Sequence, residues 1–312
     1  MAELIRRKDA RAKMRMETLP GPDGPFRVLT FPILEETGVV RHLFSTREGG
    51  VSEGCFAAMN YDTRHGDDPA KVRENFRRTA EAMGTSPERT VCTQQTHTVN
   101  VRRVGEAEAG MGVLRPRDYS DTDGLITDTP GLLLAAFGAD CATLFFVDPV
   151  RRAIGLAHSG RRGTVRRMGR QVAEAMTEAF GTRPEDLVCA IGPSICRDCY
   201  EVGPEVADEF RAAFSLEEKD IGPIPEKAAI PAGDGPILCR SQRPGKYQLD
   251  LWAANRRVLI EAGVRPERIA VTDVCTCCNP ELMFSHRRMG WNRGVQGAFL
   301  MLEPESGRCR PR

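Results

Sequence analysis

Neither sign of charge prevails in this sequence: 44 basic and 43 acidic residues leave a formal net charge of +1. Nothing in that balance calls for a polyanionic partner, and nucleic-acid binding is not expected. No stretch comes near the roughly 20 apolar residues a membrane span needs. The opening segment MAELIRRKDARAKMRMETLPGPDG lacks the apolar centre of an export signal, so we expect a cytoplasmic protein with no membrane partner. Internal repeats and low-complexity tracts are missing too. Histidine is scarce, at five residues. Cysteine is not: 11 thiols, an odd number in a chain without such a signal, favour reduced thiols, metal ligands or a nucleophile over a disulfide framework.

The rest of the composition, 41% hydrophobic and 28% charged, is that of a globular protein with a sizeable core. Residues 1–25 carry alternating charge and end in a Pro-Gly cluster, which predicts a flexible arm; 304–312 is taken as a tail. Phe26 to Leu34 and Val39 to Phe44 read as strands. A glycine-containing loop with Arg47 follows. Pro69 to Met83 has apolar residues at helical spacing, with Asp68 as cap and Pro69 in the first turn. Thr90 to Val104 alternates like a strand or strand pair, carrying Gln94, Gln95 and His97 in its middle. Leu132 to Phe137, Ala142 to Val147 and Ala153 to Ala157 are short apolar runs bounded by Gly, Pro and Asp, and predict buried strands. Helices are expected over Thr164 to Phe180, Pro204 to Phe214 and Asp250 to Ala262, strands over Leu187 to Ile191 and Gln296 to Leu302. Ser215 to Lys246, rich in Pro and Gly, predicts a surface excursion.

Cys141 and His158 end or begin such runs and are expected to face a common cleft. With His97 they make two imidazoles and one thiolate, a set that leaves tetrahedral zinc one open position, as in catalytic sites. Spacing alone leaves a second reading open: Cys141 as a nucleophile activated by His158, with Asp140 or Gln94 for orientation. The turn Ser159, Gly160, Arg161, Arg162, Gly163 leads into a helix, a place for phosphate or carboxylate. Cys196 and Cys199 form a CxxC, and Cys275, Cys277 and Cys278 a CxCC. Both suggest metal, but reduced or structural thiols are the expectation there. His286, Arg287 and Arg288 form a polar triplet within reach of the same cleft, though a helix end or surface patch is the first reading.

Nine ordered stretches, FSTREGGVSEG, MNYDTRHGDD, TQQTHTV, TDGLIT, GADCATLFF, GLAHSGRRGT, AIGPSIC, CYEV and FSHRRMG, together resemble the bacterial laccase-domain proteins. That family is also called multicopper polyphenol oxidase and peptidoglycan editing factor, and is related to a zinc-dependent purine nucleoside phosphorylase. The resemblance implies an α+β fold, a single αββα layered sandwich with mixed sheets over 26–303. It implies metal ligands at His97, Cys141 and His158. The implied activity is phosphorolysis of adenosine, inosine or methylthioadenosine, with adenosine deamination on the side. Purine nucleoside and phosphate are then the partners, in a monomer or homodimer, with zinc as cofactor and copper as the alternative. In this picture Cys141, His158, Arg47 and Asp140 act in catalysis, and Arg47 with Ser159, Arg161, Arg162 and Gly163 holds phosphate. The other family names imply a thiol hydrolase that edits a cell-wall precursor, or copper-dependent phenol oxidation. Multicopper centres need roughly ten histidines on ligand-preference grounds, and this chain has five. The chain departs from the family pattern at Arg161, where tryptophan is usual, at Ser159 for alanine and at Thr98 for glycine.

Overall fold

A computed structural model of the chain describes residues 3–7, 14–224 and 233–304. Two six-stranded mixed sheets dominate it. The first runs β1 (Arg15–Leu19), β2 (Phe26–Thr30), β3 (Val40–Ser45), β15 (Gln296–Leu302), β7 (Leu133–Gly138) and β4 (Thr90–Cys92). The second runs β14 (Ile269–Val271), β10 (Val188–Ile191), β8 (Ala142–Asp148), β9 (Ala153–Ser159), β6 (Gly124–Thr127) and β5 (Val101–Arg103). A small third sheet joins β11 (Glu201–Val202), β13 (Tyr247–Leu249) and β12 (Leu238–Arg240). The helices are α1 (Pro32–Glu35), α2 (Pro69–Ala82), α3 (Arg161–Val165), α4 (Met168–Phe180), α5 (Pro204–Phe214), α6 (Leu251–Glu261) and α7 (His286–Met289).

Alternation along the central strands builds the layers. In β8, Phe145 and Val147 enter a core shared with Leu134 and Ala136 of β7 and Ala298 and Leu300 of β15. Their neighbours Leu144 and Phe146 turn the other way, onto Met168, Val172 and Met176 of α4 and Trp252 and Leu259 of α6. On the far side, Leu133, Ala135 and Phe137 pack against Val72, Phe76 and Ala80 of α2. A strand covered on both faces must be apolar at successive positions, which is why these segments read as continuous runs. The order is helix, sheet, sheet, helix, the αββα sandwich of mixed sheets.

Four expectations are corrected. The strand from Phe26 stops at Thr30, because Pro32 opens α1 and lacks the N–H a ladder needs. The helix expected from Thr164 is split: Arg167 adopts a left-handed φ of 64° between α3 and α4. Thr90 to Val104 is not one strand or a local pair, since β4 and β5 lie in different sheets and 94–100 crosses between them. Part of the expected arm is fastened down. β1 pairs antiparallel with β2, and Ile5 exchanges two hydrogen bonds with the Asn279 side chain, at 2.7 and 2.9 Å. The excursion over 215–246 lies partly outside the described residues.

Candidate functional site

β8 and β9 are antiparallel neighbours with Ala142 opposite Ser159 and Thr143 opposite His158. Cys141, one residue before β8, is therefore carried to the same sheet end as His158. The crossing segment 94–100 brings His97 to that end from the other side. Its backbone takes a left-handed φ of 65° at His97, outside any strand. Asp123, fully buried, holds this bend: its carboxylate accepts from the backbone N–H groups of Thr96 (2.9 Å), His97 (3.2 Å) and Thr98 (3.0 Å). The same carboxylate meets His158 Nδ1 at 2.7 Å, leaving Nε2 as the ring's metal-ligating nitrogen. One ligating atom each from His97, Cys141 and His158 falls within 4.8 Å of the others.

The electrostatics follow from this packing. Burial works to raise the Cys141 thiol, but the charge and hydrogen bond of His158, with His97 behind them, bring it down to about 6. Burial works against charge on His158, yet the Cys141 thiolate and the Asp123 carboxylate raise it to about 9. Without metal the pair is thus a thiolate beside an imidazolium. Gly160 leaves room for the sulfur, since a Cβ there would lie 2.5 Å from Cys141 Sγ.

The three donors open into a cavity of about 730 Å³. Among the described residues lining it, five are arginines (Arg64, Arg161, Arg162, Arg287, Arg293) and one, Asp140, is a carboxylate. A chain of near-zero net charge therefore carries one strongly cationic chamber, which suits small anions. Arg293 is 8% exposed, and its Nε has no hydrogen-bond partner among the described residues. At the rim, exposed Trp291 stacks on His65 at 6.0 Å and meets His286 edge-on at 5.0 Å.

Several expected site residues sit elsewhere. Arg47 does not line the cavity: its guanidinium donates to the carbonyls of Ala57 (2.8 Å) and Pro280 (2.7 Å) and covers the Phe284 ring. Ser159 is buried behind the site, its hydroxyl on Asn255 Oδ1 at 2.7 Å, and Gly163 is likewise not in the lining. Of that turn, Arg161 and Arg162 reach the cavity, Arg161 paired with Glu209 at 3.3 Å. Asp140 lines the cavity, but its carboxylate accepts from Thr276 Oγ1 and the Arg287 N–H, both at 2.6 Å. The carboxylate orienting His158 is thus Asp123, not Asp140, and Gln94 is outside the lining. His286 and Arg287 are at a helix end, as expected, beginning α7, and they also reach the cavity, the other placement considered for them. Asp123, Arg64, Trp291 and Arg293 were missed as functional candidates; Asp123 and Arg64 stand inside quoted family-like stretches, and Trp291 and Arg293 just after one. A second cluster, Cys196, Cys199, Cys275 and Cys278, also has all four sulfurs within 4.8 Å of one another.

Two imidazoles and a thiolate with a free face fit a catalytic zinc ion. The histidines do not fit a multicopper centre. His42 is in the core, where its Nε2 accepts from the Phe31 N–H at 2.7 Å and burial lowers it to about 4, and His65 and His286 stand at the rim. A family model described as multi-copper polyphenol oxidoreductase laccase matches residues 41–303. A Bacillus subtilis (strain 168) protein named purine nucleoside phosphorylase YlmD is 34% identical over 261 residues, 82% of this chain and 86% of its own length. A protein named adenosine deaminase RL5, from an unknown prokaryotic organism, is 32% identical over 254 residues, 80% of this chain and 90% of its own. The crystal structure of YlmD from Geobacillus stearothermophilus matches with a TM-score of 0.75 at 31% identity, covering 97% of this chain and 100% of that one.

Proposed function

The chain belongs to the multi-copper polyphenol oxidoreductase laccase family, and from that premise we propose that it is a zinc-dependent purine nucleoside phosphorylase of the cytoplasm. It converts adenosine, inosine or methylthioadenosine and phosphate to free base and the ribose 1-phosphate, and deaminates adenosine as a side reaction. The observation that carries this reading is the open three-donor set at the wall of an arginine-lined cavity.

His97, Cys141 and His158 would hold the zinc. The chemistry supplied by a bound zinc ion is Lewis acidity toward an oxygen or nitrogen of the substrate. Asp123 keeps His158 in the ligating tautomer and fixes the bend that presents His97. Arg293, whose Nε has no partner among the described residues, and Arg162 attract phosphate and balance its charge. Trp291, Phe137 and Tyr200 offer the base flat apolar walls. In the reaction a phosphate oxygen bonds to ribose C1′ as the bond from C1′ to the base breaks. The bond's electron pair leaves with the base, and charge preset around the cavity lowers the barrier.

Purified protein supplied with zinc, phosphate and adenosine is expected to release adenine in a phosphate-dependent way. Cys141→Ala should lose this by roughly 10³-fold, the scale on which losing a preorganised stabiliser of the transition state is felt. Adenine release persisting in that variant would refute the assignment. A second reading has its own support: Cys141, His158 and Asp123 form a thiolate, imidazole and carboxylate series suited to a thiol hydrolase. It predicts turnover of a muramyl-peptide substrate that survives chelation.

A further inference from the structure

The CxxC of 196–199 and the CxxC within 275–278 are far apart in the chain, with Cys199 and Cys278 separated by 79 residues, yet those two sulfurs stand 3.4 Å apart. All four sulfurs of Cys196, Cys199, Cys275 and Cys278 lie within 4.8 Å of one another. A tetrahedral zinc with bonds of about 2.3 Å places its sulfurs about 3.8 Å apart, so the set has the compactness of a mononuclear site. An iron-sulfur cluster, sitting between its thiolates, would hold them further apart. Four neutral thiols gain little by gathering, because the S–H is a weak donor and the sulfur a weak acceptor. The backbone supports a charged cluster instead: the Cys196 N–H donates to Cys275 Sγ at 3.2 Å. Cys196 and Cys275 are buried, and Cys199 and Cys278 are half-buried.

We propose that Cys196, Cys199, Cys275 and Cys278 form a tetrathiolate site for a structural zinc ion, separate from the open site. Four protein ligands leave no position for substrate, so the ion acts on architecture. It joins the loop after β10 to the loop after β14. Ser194 pairs with Cys275 there, and the Thr276 N–H donates to the Ser194 carbonyl at 3.1 Å. Both loops grip Asp140, next to Cys141: the Ile195 N–H donates to its carbonyl at 3.0 Å and Thr276 Oγ1 to its carboxylate at 2.6 Å. Ile195 and Tyr200 from the first loop line the cavity. The buried ion thus stiffens one wall of the chamber.

The test is metal content per chain in the full-length protein, purified under reducing conditions and measured by inductively coupled plasma mass spectrometry. Wild type is expected to hold two zinc ions, Cys278→Ser one, and His97→Ala one, with Cys278→Ser also melting several degrees lower. Should Cys278→Ser fail to fold, His97→Ala loaded with Co²⁺ is expected to give the intense visible absorption of a four-sulfur tetrahedral site. The proposal is overturned if wild type holds no zinc beyond what His97→Ala loses, or if Co²⁺ in His97→Ala shows no sulfur-to-metal absorption. Because each site is emptied by its own variant, failure here leaves the open site untouched, and the reverse.

Discussion

The two clusters meet through one residue, Asp140, which precedes Cys141 and accepts from Thr276, the neighbour of Cys275. They differ in donor type, donor number and surroundings. One has two imidazoles and a thiolate facing a cavity of about 730 Å³; the other has four thiols, two of them buried, and none lines that cavity. Donor number and access together separate a site that does chemistry from one that holds shape. The contrast also shows where precision is invested. The open site depends on second partners, Asp123 above all, because three ligands do not fix their own orientation.

The largest effect that sharpens this contrast is acid, read on Cys278→Ser, which keeps only the open site. Between about pH 6 and 9 Cys141 is a thiolate and His158 an imidazolium. Metal entry in that window displaces one proton from the pair, and below it two, so lowering the pH weakens binding. Zinc affinity by chelator competition should fall about tenfold per pH unit inside the window and about hundredfold per unit below it. A flat profile from pH 8 to 5 would break the assignment of these ligands. Next comes Asp123→Asn, which is close in shape but cannot accept from His158 as a carboxylate does. Zinc at the open site should weaken by about 10 to 100-fold while the tetrathiolate stays loaded. Equal loss at both sites would mean that Asp123 serves the fold rather than the ligand.

How far the site is legible from the sequence follows the same physics. β7, β8 and β9 were readable because strands covered on both faces must be apolar throughout, and α2 because Asp68 accepts from the Ala70 N–H ahead of a regular apolar stripe. The crossing at 94–100 was not, since alternation does not say which sheet a strand joins. Asp123 stands just before β6 with nothing in the local pattern to mark it. Its weight comes from three N–H groups and an imidazole 35 residues on, contacts that local pattern does not contain. His97, Cys141 and His158 match no compact metal motif; their donor types alone suggested the set, and family resemblance strengthened it. Resemblance carried no such help for Arg293, whose proposed role rests on burial and on an Nε without a partner among the described residues.

Two arginines set the smaller effects against each other. Arg293 faces the cavity, and Arg293→Gln should raise the phosphate KM roughly tenfold, near the lower end of what a charge-assisted hydrogen bond contributes, with the nucleoside KM little changed. Equal rises in both would point to a distorted chamber.

Arg47 was expected to hold that anion together with the turn from Ser159 to Gly163, yet its guanidinium is engaged by the Ala57 and Pro280 carbonyls and the Phe284 ring. Burial lowers its pKa, because a cation drawn partly out of water is disfavoured. Arg47→Met keeps most of the stem and removes both hydrogen bonds. The phosphate KM should then stay within about twofold of wild type, while stability falls by about 1–3 kcal/mol as two carbonyls lose a charged donor. A tenfold rise in phosphate KM at unchanged Tm would reverse the ranking, making Arg47 the anion's partner and Arg293 a structural cation.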